Sequence, residues 1–183
     1  METADATQIF KEPYGIVEVD KIPTKESIVA VPIDNTMQVY KICIALKELC
    51  EKESGIGISA VQVGIPWKLF LVKGDGTCPL IPKGEFGYFI NCEYDKTTDT
   101  KQVVSLEGCL SLRSPDGRLR SFQVERQYKI RLYGLQLMVE DSIYFKNIDV
   151  EVDVMQEGIV FQHEVDHHRG ILVSDIGKEV FVW

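Results

Sequence analysis

The sequence predicts an α+β fold: antiparallel β-sheets packed around one central helix. Three observations predict it. Six short runs rich in β-branched and aromatic residues follow one another from Trp67 onward, punctuated by Gly, Pro, Asp and Asn. Only two long segments carry an apolar stripe of helical period. The second of these holds every histidine of the chain, in "FQHEVDHHRG", Phe161 to Gly170.

The 183 residues are 45% apolar and 26% charged, enough for one domain spanning 1–183 with a sizeable core. A net charge of −8 excludes a chain built to grip nucleic acid, which needs concentrated Lys and Arg. No apolar run approaches the roughly 20 residues of a membrane helix. The start, "METADATQIFKEPYG", has neither a secretory nor a transit-peptide pattern, so the cytoplasm is the expected location. Cysteines 43, 50, 78, 92 and 109 are odd in number, irregularly spaced and without a CxxC, and read as free thiols.

Residues 1–27 read as an extended arm. The first helix is expected over Asn35–Lys52. Asn35 and Gln38 are spaced as a capping box, and Val39, Ile42, Cys43, Leu46, Leu49 and Cys50 form one stripe. The β-type runs are "WKLFLVKG", "FGYFINCEY", "KQVVSLEG", "SFQVERQ", "YKIRLYG" and "SIYFKNI", read as a hairpin-connected antiparallel system. The second helix is expected from about Glu151 to Arg169, with Met155, Ile159, Val160, His163 and His167 along one face and Gly170 as its cap. "ILVSDIGKEVFVW" then reads as a last strand and a short tail.

His163 and His167 are four residues apart, so a helix aims both imidazoles at one point. Glu164 follows directly, and the set is an H-E-x-x-H motif, a metal pair with a base beside it. The bland alternative is two solvated or hydrogen-bonded histidines. The apolar flank of Ile159 and Val160 argues against it, because burying unpartnered imidazoles is costly. Downstream of His167 only Asp175, Glu179 and the adjacent His168 offer donors, so a third ligand is sought upstream.

Cys109 in "EGCLS" is that candidate. Cys43, Cys50, Cys78 and Cys92 read as buried thiols. Cys109 sits beside Gly108, which adds no bulk, and Glu107. That acid reads either as the acceptor for a ligand histidine's second N–H or as a surface carboxylate. One Cys and two His leave a metal an open position, the mark of a catalytic centre. A blue-copper site shares the ligands but wants an axial Met and has no use for Glu164.

"SGIGISAVQVG" follows the first helix. Its glycines suit an edge segment, Ile56, Gly57 and Ile58, that pairs with an extended peptide. Gln62 reads either as an amide donor to a developing oxyanion or as an exposed turn residue.

Together, "GIGISAVQ" (55–62), "EGCLS" (107–111) and "QHEVDH" (162–167) resemble the peptide deformylase family. Its pattern is a G-Φ-G-Φ-A-A-x-Q loop, an E-G-C-Φ-S turn and a Q-H-E-Φ-D-H helix in that order. Ser59 is the one departure, where the family has Ala. The likeness runs from about Ile28 to Asp175.

The resemblance implies a central metal-binding helix and a metal held by Cys109, His163 and His167. That metal is Fe(II), with Zn, Ni or Co able to substitute. Glu164 is then general base and acid, and Gln62 and the Leu110 N–H stabilise the oxyanion. A metal lowers the pKa of bound water from about 15.7 towards about 7, which brings its proton within reach of Glu164. The reaction is removal of formate from N-formyl-methionine on nascent polypeptides. Ile159 and Val160 are expected beside the methionine side chain, and Ile56, Gly57, Ile58 and Gly108 beside the peptide.

Three departures from the family stand out. His168 stands where the family usually has Leu, and reads either as a solvent-facing neighbour, the preferred reading, or as a residue that perturbs the site. The turn "LRSPDGRLR" is long and polar, with Arg113 or Arg118 as the substrate-contacting arginine. The sequence stops at Trp183, without the charged C-terminal helix linked to bacterial ribosome docking. A monomer that meets the ribosome transiently is expected. A protease cutting internal bonds would want a downstream third ligand and a longer cleft. A non-catalytic relative would have lost Glu164 or Gln62.

Overall fold

The computed structural model describes residues 14–155 and 157–181. The first part of the expected arm, residues 1–13, lies outside the described residues, as do the last two residues of the tail. Residues 14–18 belong to no helix or strand, and a 3-10 turn follows at Val19–Lys21. The arm is tied down by a bond from the Val17 N–H to the Gln62 carbonyl, 2.9 Å.

The first helix, α1 (Thr36–Lys52), forms as expected. The Asn35 side chain accepts the Gln38 N–H at 3.0 Å, and all six stripe residues are buried. Five strands make one antiparallel sheet: β1 (Gly57–Ser59), β2 (Leu69–Lys73), β3 (Phe86–Lys96), β6 (Lys129–Val139) and β7 (Ile143–Asp153), in that spatial order. A second sheet holds β4 (Gln102–Arg113), β5 (Leu119–Gln127) and the short β8 (Lys178–Val180). Sequence neighbours β2–β3, β4–β5 and β6–β7 pair antiparallel, whereas β3 pairs with β6 because β4 and β5 belong to the second sheet.

Alternation along the strands assigns the two faces of the larger sheet. Leu69, Leu71 and Ile90 join the core under α1, with Leu46 and Cys50. Phe70, Val72, Phe89 and Ile130 face the other way, onto Phe161 and Val165 of the second helix, α2 (Gly158–His168). Rings seal that face, with Phe70–Phe89 centroids at 5.2 Å and Phe89–Phe161 at 5.0 Å. Cys109, Leu112, Phe122, Val124 and Val173 form a smaller core under the second sheet. Helix α2 therefore lies between the sheets, touching strands of both.

Two expected boundaries are corrected. Helix α2 starts at Gly158, not near Glu151. Glu151 to Asp153 complete β7, paired with Arg131, Ile130 and Lys129, and Val152 is buried while Glu151 is exposed. The two-residue alternation wins there, and Met155 lies 68% exposed in the turn instead of on the helix face. Gly158 lets the helix begin tight against the strand, since a Cβ there would collide with the Asp153 carbonyl. The second correction is at the end of the chain. A one-turn helix, α3 (Val173–Ile176), precedes β8, because the Asp175 carboxylate accepts the Leu172 N–H at 2.8 Å and closes the turn.

His168, expected to face solvent, is only 3% exposed. Its ring lies 5.5 Å from that of Phe70. Neither ring nitrogen makes a well-formed hydrogen bond, and the Leu69 backbone is the polar group that faces it. Burial pushes its pKa down to about 4. A depressed folded pKa means that its contribution is intact above the unfolded value of about 6.5 and is lost as pH falls through about 4. His168→Leu is expected to stabilise the protein by about 1–3 kcal/mol at neutral pH, by removing an unsatisfied buried polar ring. Thermal melts should show the gap between variant and wild type widening from pH 6.5 to pH 4.

Candidate metal centre

The β4–β5 register shifts between Gly108 and Arg113, so Cys109 to Leu112 fall in a bulge outside the regular ladder. Bulges re-aim side chains. This one turns Cys109 inward, where its Sγ lies 3.5 Å from His167 Nε2. The i, i+4 spacing on α2 brings the His163 and His167 rings to 5.0 Å. One donor atom from each of Cys109, His163 and His167 lies within 4.8 Å of the others. Donors about 2.0–2.3 Å from a tetrahedral ion lie roughly 3.5 Å apart, so the trio fits one metal with small adjustments.

A carboxylate holds the first histidine. Glu107 Oε2 lies 2.9 Å from His163 Nδ1, which leaves Nε2 as the ring's other donor. Glu107 is itself gripped by Arg126, at 2.7 Å from Nε to Oε1 and 2.8 Å from Nη2 to Oε2. Ser105 Oγ donates to the same carboxylate. Arg126 Nη1 donates to Asp166 of α2, which also accepts from the Tyr94 hydroxyl at 3.3 Å. Burial would raise the Glu107 pKa, but the bonds from Arg126 and His163 outweigh it and hold it at about 2. Burial opposes charge on His163 as well. There the bonds to Cys109 and Glu107 prevail and raise the pKa to about 10. Burial and its cationic neighbours push His167 well below the ordinary range.

Gln62 is 1% exposed and is no surface turn residue. The Ser59 N–H donates to its Oε1 at 2.9 Å, which fixes the amide orientation. Its Nε2 then points to Ser111 Oγ at 3.1 Å and Cys109 Sγ at 3.4 Å. Leu110 is buried within the bulge. Glu164 is 3% exposed and its Oε2 has no hydrogen-bond partner. Burial lifts its pKa to about 7, with Glu107 adding to that while His163 and Arg126 oppose it.

A cleft of about 260 Å³ opens onto these groups. Ile56, Gly57, Gly108, Leu110, Ile159 and Val160 line it, and Gln62, His163 and Glu164 also reach it. A Cβ at Gly57 would meet Glu164 Oε1 at 2.5 Å, so a side chain there would push that carboxylate from its place. The Ile58 side chain is fully buried in the core under α1, which leaves its backbone for the edge role expected of it. Leu106 and Leu119 line the cleft instead. Neither arginine of the 113–118 turn does. Arg113 bonds Glu53 at 2.7 Å, and Arg118 pairs with Asp116. Arg126 escaped the sequence reading, although "SFQVERQ" carried its signal: Phe122, Val124 and Arg126 share one strand face, so a charge sits in an inward register.

A family model described as polypeptide deformylase matches residues 14–180. The chain belongs to the polypeptide deformylase family. The peptide deformylase of Natranaerobius thermophilus is 33% identical over 130 residues, 69% of each chain. That of Carboxydothermus hydrogenoformans is 28% identical over 87% of this chain and 90% of its own. The crystal structure of a probable peptide deformylase from Synechococcus phage S-SSM7 superposes with a TM-score of 0.69 at 23% identity, covering 90% of this chain and 99% of that one, and shows the shared fold. Polypeptide deformylases are metal-dependent amide hydrolases that remove the formyl group from nascent chains, and the Cys–His–His trio is the group among the described residues that could hold the ion.

Arg126→Met would leave the buried Glu107 and Asp166 carboxylates without their cation. Urea unfolding is expected to show a loss of about 3–5 kcal/mol, far more than for any exposed ion pair of this chain.

Proposed function

We propose that Cys109, His163 and His167 hold Fe(II), with Zn, Ni or Co as substitutes, and that the site hydrolyses the formamide of N-formyl-methionine at the start of nascent polypeptides. The observation that carries this reading is Glu164. It is a buried carboxylate with a free oxygen and a pKa of about 7, directly beside the Cys–His–His trio and open to the cleft.

The bound ion would supply Lewis acidity and a water acidified into the neutral range. The peptide backbone lies along β1, whose side away from β2 pairs with no other strand among the described residues. The methionine side chain rests on Ile159 and Val160, with Gly108 leaving room for the chain and Leu106 and Leu119 extending the apolar wall. Glu164 takes a proton from the attacking water, whose oxygen bonds to the formyl carbon. The new oxyanion faces the Gln62 Nε2 and the Leu110 N–H, donors preset by Ser59 and by the bulge. The C–N bond then breaks, Glu164 returns the proton to the leaving amine, and formate departs. Glu107 keeps His163 in one orientation throughout, the role such carboxylates play beside metal ligands.

On this reading the chain is a single catalytic unit. It works as a cytoplasmic monomer and meets the ribosome transiently as nascent chains emerge. Among the described residues no helix is long and apolar enough to cross a membrane.

Formate release from a formyl-Met tripeptide tests the proposal, with protein loaded anaerobically with Fe(II). The wild type is expected to release formate. Glu164→Gln should keep metal and fold and lose about 10²–10⁴-fold in rate, the usual contribution of a positioned acid–base group. No release from folded, fully metallated wild type would contradict the proposal.

A further inference from the structure

The two histidines of the metal trio are held differently. His163 has Glu107 on its second nitrogen. His167 turns Nε2 to Cys109, and its Nδ1 is buried with no hydrogen-bond partner. A metal-bound imidazole almost always donates its second N–H to a carboxylate, a carbonyl or a water. An N–H left bare in a 1% exposed ring would cost stability and would leave the ring's orientation unset.

A second cleft, of about 360 Å³, supplies what is missing. It lies between the 19–26 segment, the end of α2 and α3, and His167 is the trio member that lines it. His163 lines the substrate cleft and not this one. The second cleft is large enough for several waters and carries polar groups from Thr24, Lys25, Glu26 and Asp175. Asp175 is the anchored carboxylate among them. Its Oδ2 accepts the Leu172 N–H at 2.8 Å, which fixes the side chain and leaves Oδ1 for another donor.

We infer that an ordered water in this cleft accepts the Nδ1–H of His167 and donates to Asp175 Oδ1, making Asp175 a positioning residue for the metal from the side away from substrate. The inference rests on the proposed metal site. It gives α3, a single turn that β8 follows, a reason to end beside α2. Asp175 would act on His167 through water as Glu107 acts on His163 directly.

Co(II) binding, read from the thiolate-to-metal absorption band and by competition with a chelator, tests it without reference to turnover. Asp175→Asn keeps an oxygen to cap Leu172 and removes the charge. It is expected to bind Co(II) about 10-fold more weakly, the lower end of the range for lost outer contacts. Circular dichroism should be unchanged. Glu26→Gln, which removes the other acid of the cleft, should bind as the wild type does. Wild-type affinity in Asp175→Asn, or an equal loss in Glu26→Gln, would overturn the inference while leaving the metal site standing. A wild type that binds no Co(II) would overturn the metal site and the inference with it. One check needs no variant. In the Zn(II) form the His167 Nδ1–H should show a nuclear Overhauser contact to bound water, and its absence would also overturn the inference.

Discussion

The buried guanidinium of Arg126 is the interaction on which the rest of the site depends. It sits on β5, grips Glu107 of β4 with two nitrogens and reaches Asp166 of α2 with the third. Three elements distant in sequence are thereby locked at one point. The strand that carries Cys109 and the helix that carries His163 and His167 meet because this cation is shared between their carboxylates. Its burial is expensive, and the cost is met only while both anions are in place. Apolar packing could hold α2 against the sheets. It could not set the rotation that aims two imidazoles at one sulfur.

A second constraint acts on Glu164. Everything around Glu107 is saturated with hydrogen bonds, whereas Glu164 keeps one oxygen without a partner. The two carboxylates have opposite environments. One is held at a pKa of about 2 by Arg126 and His163, and the other is raised to about 7 by burial. Such a split separates a structural anion from a group able to exchange a proton near neutrality. Gly57 maintains the arrangement from the opposite wall, since any side chain there would collide with Glu164.

The parts that the sequence made legible were those governed by local geometry. Helical spacing was enough to pair His163 with His167 and to place Glu164 beside them. The stripe of α1 and its Asn35 cap were equally plain. Features set by distant partners were hidden. His168 is buried because Phe70 on β2 covers it, and nothing in "DHHRG" announces that neighbour. The start of α2 was misplaced because β7 continues its alternation through Val152, and that register is fixed by β6. Arg126 could be found only by noticing a charge on the inward face of β5 and asking which anions it meets.

X-ray absorption at the metal edge of loaded protein tests the central claim most directly, that β4 and α2 converge on one ion. The account predicts a first shell containing one sulfur at about 2.3 Å together with two imidazole nitrogens at about 2.0–2.1 Å, as for a zinc centre of this donor set. The sulfur scatterer should vanish in Cys109→Ser. A shell of nitrogen and oxygen alone in the wild type, or sulfur that persists after Cys109 is replaced, would contradict it.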